Sequence, residues 1–137
     1  MSDEVATPAS NFKRGVHATL DVDVIEASPD RVVLSLAVGP SVHQPFGVLH
    51  GGVSALLAES AASMGGAMNV PDGKAVVGIE LNASHLRSVS GGELIATATP
   101  IRIGRTVHVW NIDLVGSDGR QVCAARCTLS VIDRPTS

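Results

Sequence analysis

Apolar and polar positions alternate with a period of two near both ends of the chain, and a longer period runs between them. "HATLDVDVIE" (17–26) places Leu20, Val22 and Val24 on one face, the pattern of a half-buried strand. "SPD" (28–30) turns the chain into a second strand, "RVVLSLAV" (31–38). A breaker-rich loop, "GPSVHQPFG" (39–47), leads to a helix over 51–68, which "NVPDGK" (69–74) ends. Four more strands are predicted at 75–86, 93–103, 105–115 and 120–132. "RSVSGG" (87–92), Gly104 and "GSDG" (116–119) supply the turns between them. The order ββαββββ, one helix among about six mostly antiparallel strands, predicts an α+β fold. Residues 1–11 read as a loose polar arm before a single domain at 12–137, with no repeat or linker inside it.

Within the helix, Val53, Leu56, Leu57, Ser60, Ala61 and Met64 follow the i, i+3, i+4, i+7 spacing of a buried face. The opposite side carries Ala55, Ala58, Ala62, Gly65 and Gly66 in place of charges. A helix that is apolar or small all round predicts burial on every side, wrapped by the sheet. Its interior glycines allow close backbone approach at a cost of about 1 kcal/mol each. From Gly51 through Met68 the single ionisable side chain is Glu59. An acidic residue at the centre of a membrane span costs about 2.5–3.5 kcal/mol, and strands follow, so the segment does not read as such a span.

Composition narrows the function classes. The chain has 137 residues, 45% apolar and 17% charged, in the range of a globular domain with a core of its own. Its net charge of −3 comes without a basic cluster, and its aromatics are Phe12, Phe46 and Trp110. Neither the electrostatic footprint nor the stacking platform for nucleic acid is there. "MSDEVATPAS" begins acidic and lacks an apolar core, so it is not a signal peptide, and a cytoplasmic location is expected. Cys123 and Cys127 fall in one predicted strand, roughly 13 Å apart, too far for a disulfide. Two cysteines with no histidine at ligand spacing do not make a zinc site, so both read as buried thiols. No metal and no cofactor is expected.

Burial without a partner penalises the charged form of a carboxylate, which makes Glu59 a candidate for chemistry. The alternative is an ion pair or hydrogen bond to a strand residue such as Arg102 or Arg126. Gly51 and Gly52 sit where the helix begins, and their N–H groups lack intrahelical acceptors. Such a terminus attracts developing negative charge, and glycine lets a substrate approach the backbone. Ser63 lies one turn past Glu59 on the same side. "HGG" by itself also fits an ordinary glycine-rich helix start. His17, His43 and His108 read as solvated or strand-face residues.

"QPFGVLHGG", with "LAES" eight residues into the helix, resembles the hotdog-fold acyl-CoA thioesterases. "VVGIELNASHLRS", "VWNIDL" and "GRQVCAARCTLS" extend the match over most of residues 42–132. The branch it resembles contains 1,4-dihydroxy-2-naphthoyl-CoA thioesterase and the enterobactin-pathway proofreading thioesterase. That resemblance implies a long antiparallel sheet wrapped around one central helix. It implies Glu59 as catalytic nucleophile or general base and the Gly51 N–H as the donor to the thioester carbonyl. Gln44 and His50 would position the thioester, water or leaving thiolate, with Ser63 assisting. His85 would approach the acyl group, Met64 would border it, and Arg87, Ser88, Arg105 and Thr106 would contact coenzyme A. The chain departs from the pattern at Ala67 in "GGAMNV", where close relatives can carry an aromatic. The expected protein is a homotetramer, a dimer of dimers with sites at the dimer interface, hydrolysing an aryl- or aroyl-CoA. Two rivals share the fold: a hydratase or dehydratase, and a non-catalytic acyl-CoA-binding module.

Overall fold

The structure, a computed structural model, describes residues 13–136. In chain order it contains α1 (Gly15–Thr19), β1 (Asp23–Ser28), β2 (Arg31–Ala37), a 3-10 turn (Pro40–Val42) and α2 (Gly51–Ala67). There follow β3 (Lys74–His85), β4 (Glu93–Ile103), β5 (Val107–Gly116) and β6 (Gln121–Asp133). The strands form one six-stranded sheet in the order β1-β2-β4-β5-β6-β3, every neighbouring pair antiparallel. The α+β architecture expected from the alternation, one long helix on an antiparallel sheet, is therefore the one observed. The expected arm at 1–11 lies outside the described residues. No helix among the described residues is long and apolar enough to cross a membrane.

The first strand starts later than the alternation suggests. Residues Gly15–Thr19 form a helical turn, Leu20 N–H returns to the Val16 carbonyl at 2.9 Å, and Asp21 reverses the chain at φ 55°. The turn brings the His17 ring to the Ser60 hydroxyl of α2, with Nε2 and Oγ 2.7 Å apart. A few alternating residues carry too weak a signal to outweigh such a contact. The predicted inward side survives, because Val22 is buried and Leu20 and Val24 pack against the core.

The helix is buried on one side only, and the side differs from the expected one. Its buried residues are Ser54, Leu57, Ala58, Ala61, Ala62, Met64, Gly65 and Gly66. Val53, Leu56 and Ser60, expected in the core, are half-exposed, and Glu59 is exposed. The reason is volume. The sheet presents Trp110, Leu34, Leu94, Ile112, Leu114 and Leu129, all fully buried, so close packing leaves room only for small residues opposite. A Cβ at Gly65 would fall 2.4 Å from Trp110 Cη2, and one at Gly66 would fall 2.5 Å from Leu129 Cδ1. The aromatics split accordingly: Trp110 is 0% exposed, whereas Phe46 is 90% exposed. Cys123 and Cys127 are free and buried, as their spacing indicates.

Among the described residues, β1 and β3 stand unpaired on their outer sides at the two edges of the sheet. β3 exposes much of its length, including Val77 and Ile79, and a bulge interrupts its pairing with β6 between Gly78 and Glu80.

Candidate functional site

The entry to α2 is pinned by backbone bonds. Gln44 N–H donates to the Val48 carbonyl at 2.8 Å, and Gly47, at φ 79°, closes the same turn. Leu49 N–H reaches the Val89 carbonyl at 2.8 Å and His50 N–H reaches that of Val42 at 2.9 Å. The Gln44 side-chain oxygen accepts from Phe46 N–H, which holds the amide at the loop. His50 is the N-cap, extended at φ −69° and ψ 128°, and its Nδ1 accepts from Gly52 N–H at 2.8 Å. An accepting Nδ1 leaves the proton of the neutral ring on Nε2. With Gly52 engaged, the Gly51 N–H remains without an acceptor among the described residues.

That N–H belongs to a cleft of about 370 Å³. Five of the sequence-predicted residues line it: Gln44, Gly51, His85, Arg87 and Ser88. The His85 ring covers Gly51 so closely that a Cβ there would lie 3.0 Å from its Cε1 and Nε2. Val48, Leu49, Ser54, Leu86 and Val122 complete the wall, and the motifs single out none of them. Ser54 lies three residues past Gly51 on the same helical face.

The remaining candidates stand elsewhere. Glu59 lies two turns along α2, outside the cleft lining, with its carboxyl against β3. A Cβ at Gly78 would come within 2.9 Å of Glu59 Cδ, so only glycine at that bulge gives the carboxyl its place. The ion pairs among the described residues are Arg31–Glu26, Lys74–Asp133 and Arg120–Asp118. Neither Arg102 nor Arg126 pairs with Glu59, so the structural ion pair considered from sequence is absent, and the expected burial of this carboxylate does not hold in the single chain. Ser63 is half-buried one turn further on, and Met64 is in the core at 6% exposure. Arg105 and Thr106 are exposed in the β4–β5 turn, which Gly104 N–H closes on the Val107 carbonyl at 2.9 Å. His50 is exposed at the helix start and caps it.

Burial raises the Cys127 thiol to about 12, with smaller contributions from the charges of Glu59 and Glu80. The thiol is therefore protonated and inert near neutrality. Burial also lowers the pKa values of His17 and of His108, whose hydrogen bond to the Gly104 backbone opposes the shift. His108 is a strand-face residue as expected, though buried, whereas His43 bonds the Ser90 carbonyl at 2.9 Å.

The candidates thus fall into two groups. Gln44, His50, Gly51, His85, Arg87 and Ser88 gather at the first turn of α2, where a free N–H and a cationic rim suit an oxyanion and a phosphorylated ligand. Glu59, an exposed carboxylate able to act as base or nucleophile, and Ser63 lie further along. Eight positions of helix separate Gly51 from Glu59, about 12 Å of rise.

A family model described as the thioesterase superfamily matches residues 46–123. A 1,4-dihydroxy-2-naphthoyl-CoA hydrolase of Listeria monocytogenes is 41% identical over 117 residues, 85% of this chain and 95% of the relative. The proofreading thioesterase EntH of Cronobacter turicensis is 38% identical over 113 residues, 82% of either chain. Among solved structures, a thioesterase of Haemophilus influenzae is similar with a TM-score of 0.87 and 39% identity, over 91% of this chain and 87% of that one.

Proposed function

The chain belongs to the thioesterase superfamily, and from that premise we propose that it hydrolyses an aryl- or aroyl-CoA thioester to the free acid and coenzyme A. The observation that carries this reading is the unsatisfied Gly51 N–H at the wall of a cleft rimmed by Gln44, His85, Arg87 and Ser88. A thioester carbonyl oxygen placed there gains a donor that strengthens its hold as charge develops, an effect worth about 2.7–4 kcal/mol in a transition state. Glu59 acts on the carbonyl carbon directly or through a water molecule, and the thiolate leaves once the carbonyl is polarised. Gln44 and His50 position the reacting groups, and Ser63 supports Glu59.

The geometry of one chain supports a site shared by two. A reacting atom approaches to roughly 3–3.5 Å of its target, far less than the about 12 Å between Gly51 and Glu59. The free edge of β3 offers the second copy a place. Pairing two β3 strands antiparallel about Asn82 sets Leu81 against Ala83 and takes up the bulge of Ile79 and Glu80 opposite Ser84. It then sets Gly78 against His85 of the second copy, with every side chain on its proper face. Glu59 lies over Gly78 and Gly51 under His85, so this register brings the carboxylate of one copy to the oxyanion donor of the other. Arg105 and Thr106, which are exposed and outside the cleft lining in their own chain, contact coenzyme A from the second copy in this reading, Met64 borders the acyl group, and two such dimers form the tetramer.

The test is thiol release from aryl, aliphatic and acyl-carrier thioesters, with wild type and Glu59→Ala side by side. We expect release from aroyl-CoA by wild type and none above background by the variant. Equal rates from both proteins would overturn the assignment of Glu59. Light scattering that finds a stable monomer at micromolar concentration would overturn the shared site.

A further inference from the structure

His108 and Trp110 stand two residues apart on the inner face of β5, at 1% and 0% exposure. Among the described residues, the buried side-chain nitrogens and oxygens without a hydrogen-bond partner are His108 Nδ1 and Trp110 Nε1. The His108 bond to the Gly104 backbone therefore uses the other ring nitrogen, Nε2. The single proton of the neutral ring sits there, and Nδ1 is a bare acceptor. It faces the last turns of α2, where a Cβ on Gly66 would lie 3.3 Å away.

The neutral ring fits this place and the charged ring does not. A second proton would sit on Nδ1 and require an acceptor. The helix carbonyls there are engaged: Gly65 accepts from Met68 N–H at 3.2 Å and from Asn69 Nδ2 at 2.8 Å, and Gly66 from Asn69 N–H at 3.0 Å. Trp110 Nε1, the other orphan on that face, is itself a donor. Leu129 of β6 and Ile103 of β4 flank the ring, and Val76 of β3 shares the contact with Gly66. The carboxylates of these elements are turned elsewhere. Glu59, two turns before Gly66, is exposed against Gly78; Asp133 is exposed and holds Lys74 at 2.6 Å; Glu80 bonds Thr128 at 3.3 Å. Arg102 and Arg105 are exposed and add positive charge, and the Cys127 thiol is uncharged below about 12. Burial accordingly holds the His108 pKa below its ordinary 6.5.

We infer that His108 is an acid-sensitive latch: its neutral ring lets the last turns of α2 lie on β5 and β6, and its protonation unseats them. Gly51 and Glu59 ride on the same helix, so each opening displaces the oxyanion donor and the carboxylate together, and turnover falls reversibly in mild acid. The latch acts on α2 whatever substrate the cleft takes, and so goes beyond the hydrolase reading. Above pH 6.5 the ring is neutral in both states, and the closed helix keeps its full stability. Below 6.5 the open state takes the proton first, so the closed-to-open ratio falls by up to about tenfold per pH unit until the closed ring titrates as well.

The experiment follows the full chain from about pH 7.5 to about pH 5, the range in which histidine changes charge. Amide hydrogen exchange over Ala62–Ala67, corrected for intrinsic rates, reads the opening. Trp110, the single tryptophan, lies against Gly65 and reports the same contact by its fluorescence. His108→Gln keeps a donor for Gly104 and does not titrate, His108→Met fills the space without a polar atom, and His17→Gln removes the other histidine that burial holds low. In wild type and His17→Gln, protection should fall by up to about tenfold per pH unit below 6.5, with Trp110 emission moving to the red and both recovering at neutral pH. Both His108 variants should stay flat. Protection that holds in wild type, or falls equally in the His108 variants, overturns the latch. In wild type alone, ring-nitrogen resonances that put the neutral His108 proton on Nδ1 overturn it too. Thiol release from benzoyl-CoA should decline more steeply in acid for wild type than for His108→Gln, and parallel profiles overturn the link to turnover. Protection that behaves as expected, with no thiol release at any pH, overturns the hydrolase reading and leaves the latch standing.

Discussion

At its first turn α2 carries Gly51, whose N–H faces the cleft under the His85 ring; at its last turns Gly65 and Gly66 press on Trp110 and Leu129. The residue type is the same and the physical demand differs. At the start, glycine leaves its N–H at the cleft wall and lets the His85 ring lie close over it. At the end, it closes the gap, since any Cβ at Gly65 would occupy the space of the indole ring. The first half of the helix leaves the Gly51 N–H without an acceptor among the described residues, while the second half is packed as core. Glu59 sits at the border, exposed, its carboxyl against Gly78 of a neighbouring strand.

The largest expected effect separates the carboxylate from the rest of the helix. Glu59→Gln retains shape and removes the base, and should lower kcat by a factor of about 10³ or more while circular dichroism and melting temperature stay unchanged. Glu59→Asp, which withdraws the acid by one methylene, should lose less. Near wild-type turnover in a folded Glu59→Gln protein would make the carboxylate structural.

Gly51→Pro attacks the other end. Proline is tolerated at the first helical position, and the residue before it, His50, already has the extended backbone that proline requires. The substitution removes the N–H and sets a Cβ 3.0 Å from the His85 ring, which must shift slightly, and should cost about 10²–10³ in kcat. Mixing unfolded Gly51→Pro and Glu59→Gln chains and refolding them together gives a sharper result. In a site shared across a two-fold axis, the mixed dimer regains one intact site, and about a quarter of wild-type activity should return. No recovery, with mixed dimers demonstrated by mass spectrometry, would place the site within one chain.

Gly65→Ala tests the packed end. A Cβ 2.4 Å from Trp110 forces the ring or the helix to move, which should destabilise the fold by about 1–3 kcal/mol in urea titration. Activity per folded molecule should fall far less than in Gly51→Pro. Gly78→Ala has a smaller effect of the opposite kind. Its Cβ meets the flexible end of Glu59, so stability should hold while kcat falls about tenfold, roughly 1.4 kcal/mol.

The smallest effect is electrostatic. The Cys127 thiol titrates near 12 when folded, above its ordinary 9, mainly through burial and then through Glu59 and Glu80. Below pH 9 both folded and unfolded thiols are protonated, and the full stability is present. Between 9 and about 12 only the unfolded thiol ionises, so stability falls by up to about 1.4 kcal/mol per pH unit. In Glu59→Gln the upper end of that window should move down, which pH-dependent unfolding would detect.

Much of the candidate site was legible because its residue types are unusual for where they stand. A lone glutamate in an apolar helix and paired glycines at its start are conspicuous in any sequence. Gln44, Gly51, His85, Arg87 and Ser88 proved to share one cleft. Ser54 was not legible, since a serine in a helix has no signature until its burial at the cleft wall is visible. Gly78 passed as an ordinary strand glycine until Glu59 was found against it. Glu59 itself was expected inside the core, because an apolar helix reads as buried all round when nothing shows how large its partner side chains are.

The sequence by itself determined the elements. Alternation of side chains along a strand and the 3.6-residue turn of a helix are properties of the local backbone, and they fixed one long helix and six strands in nearly the right places. Tertiary structure alone decided which helical face meets the sheet, that β3 lies at the edge beside β6, and that the Gly51 N–H opens on the cleft while Glu59, about 12 Å along the helix, lies against Gly78. These depend on contacts between positions far apart in the chain: Gly65 with Trp110, Gly78 with Glu59 and Gly51 with His85. Each is settled by whether two shapes fit, which no local periodicity records.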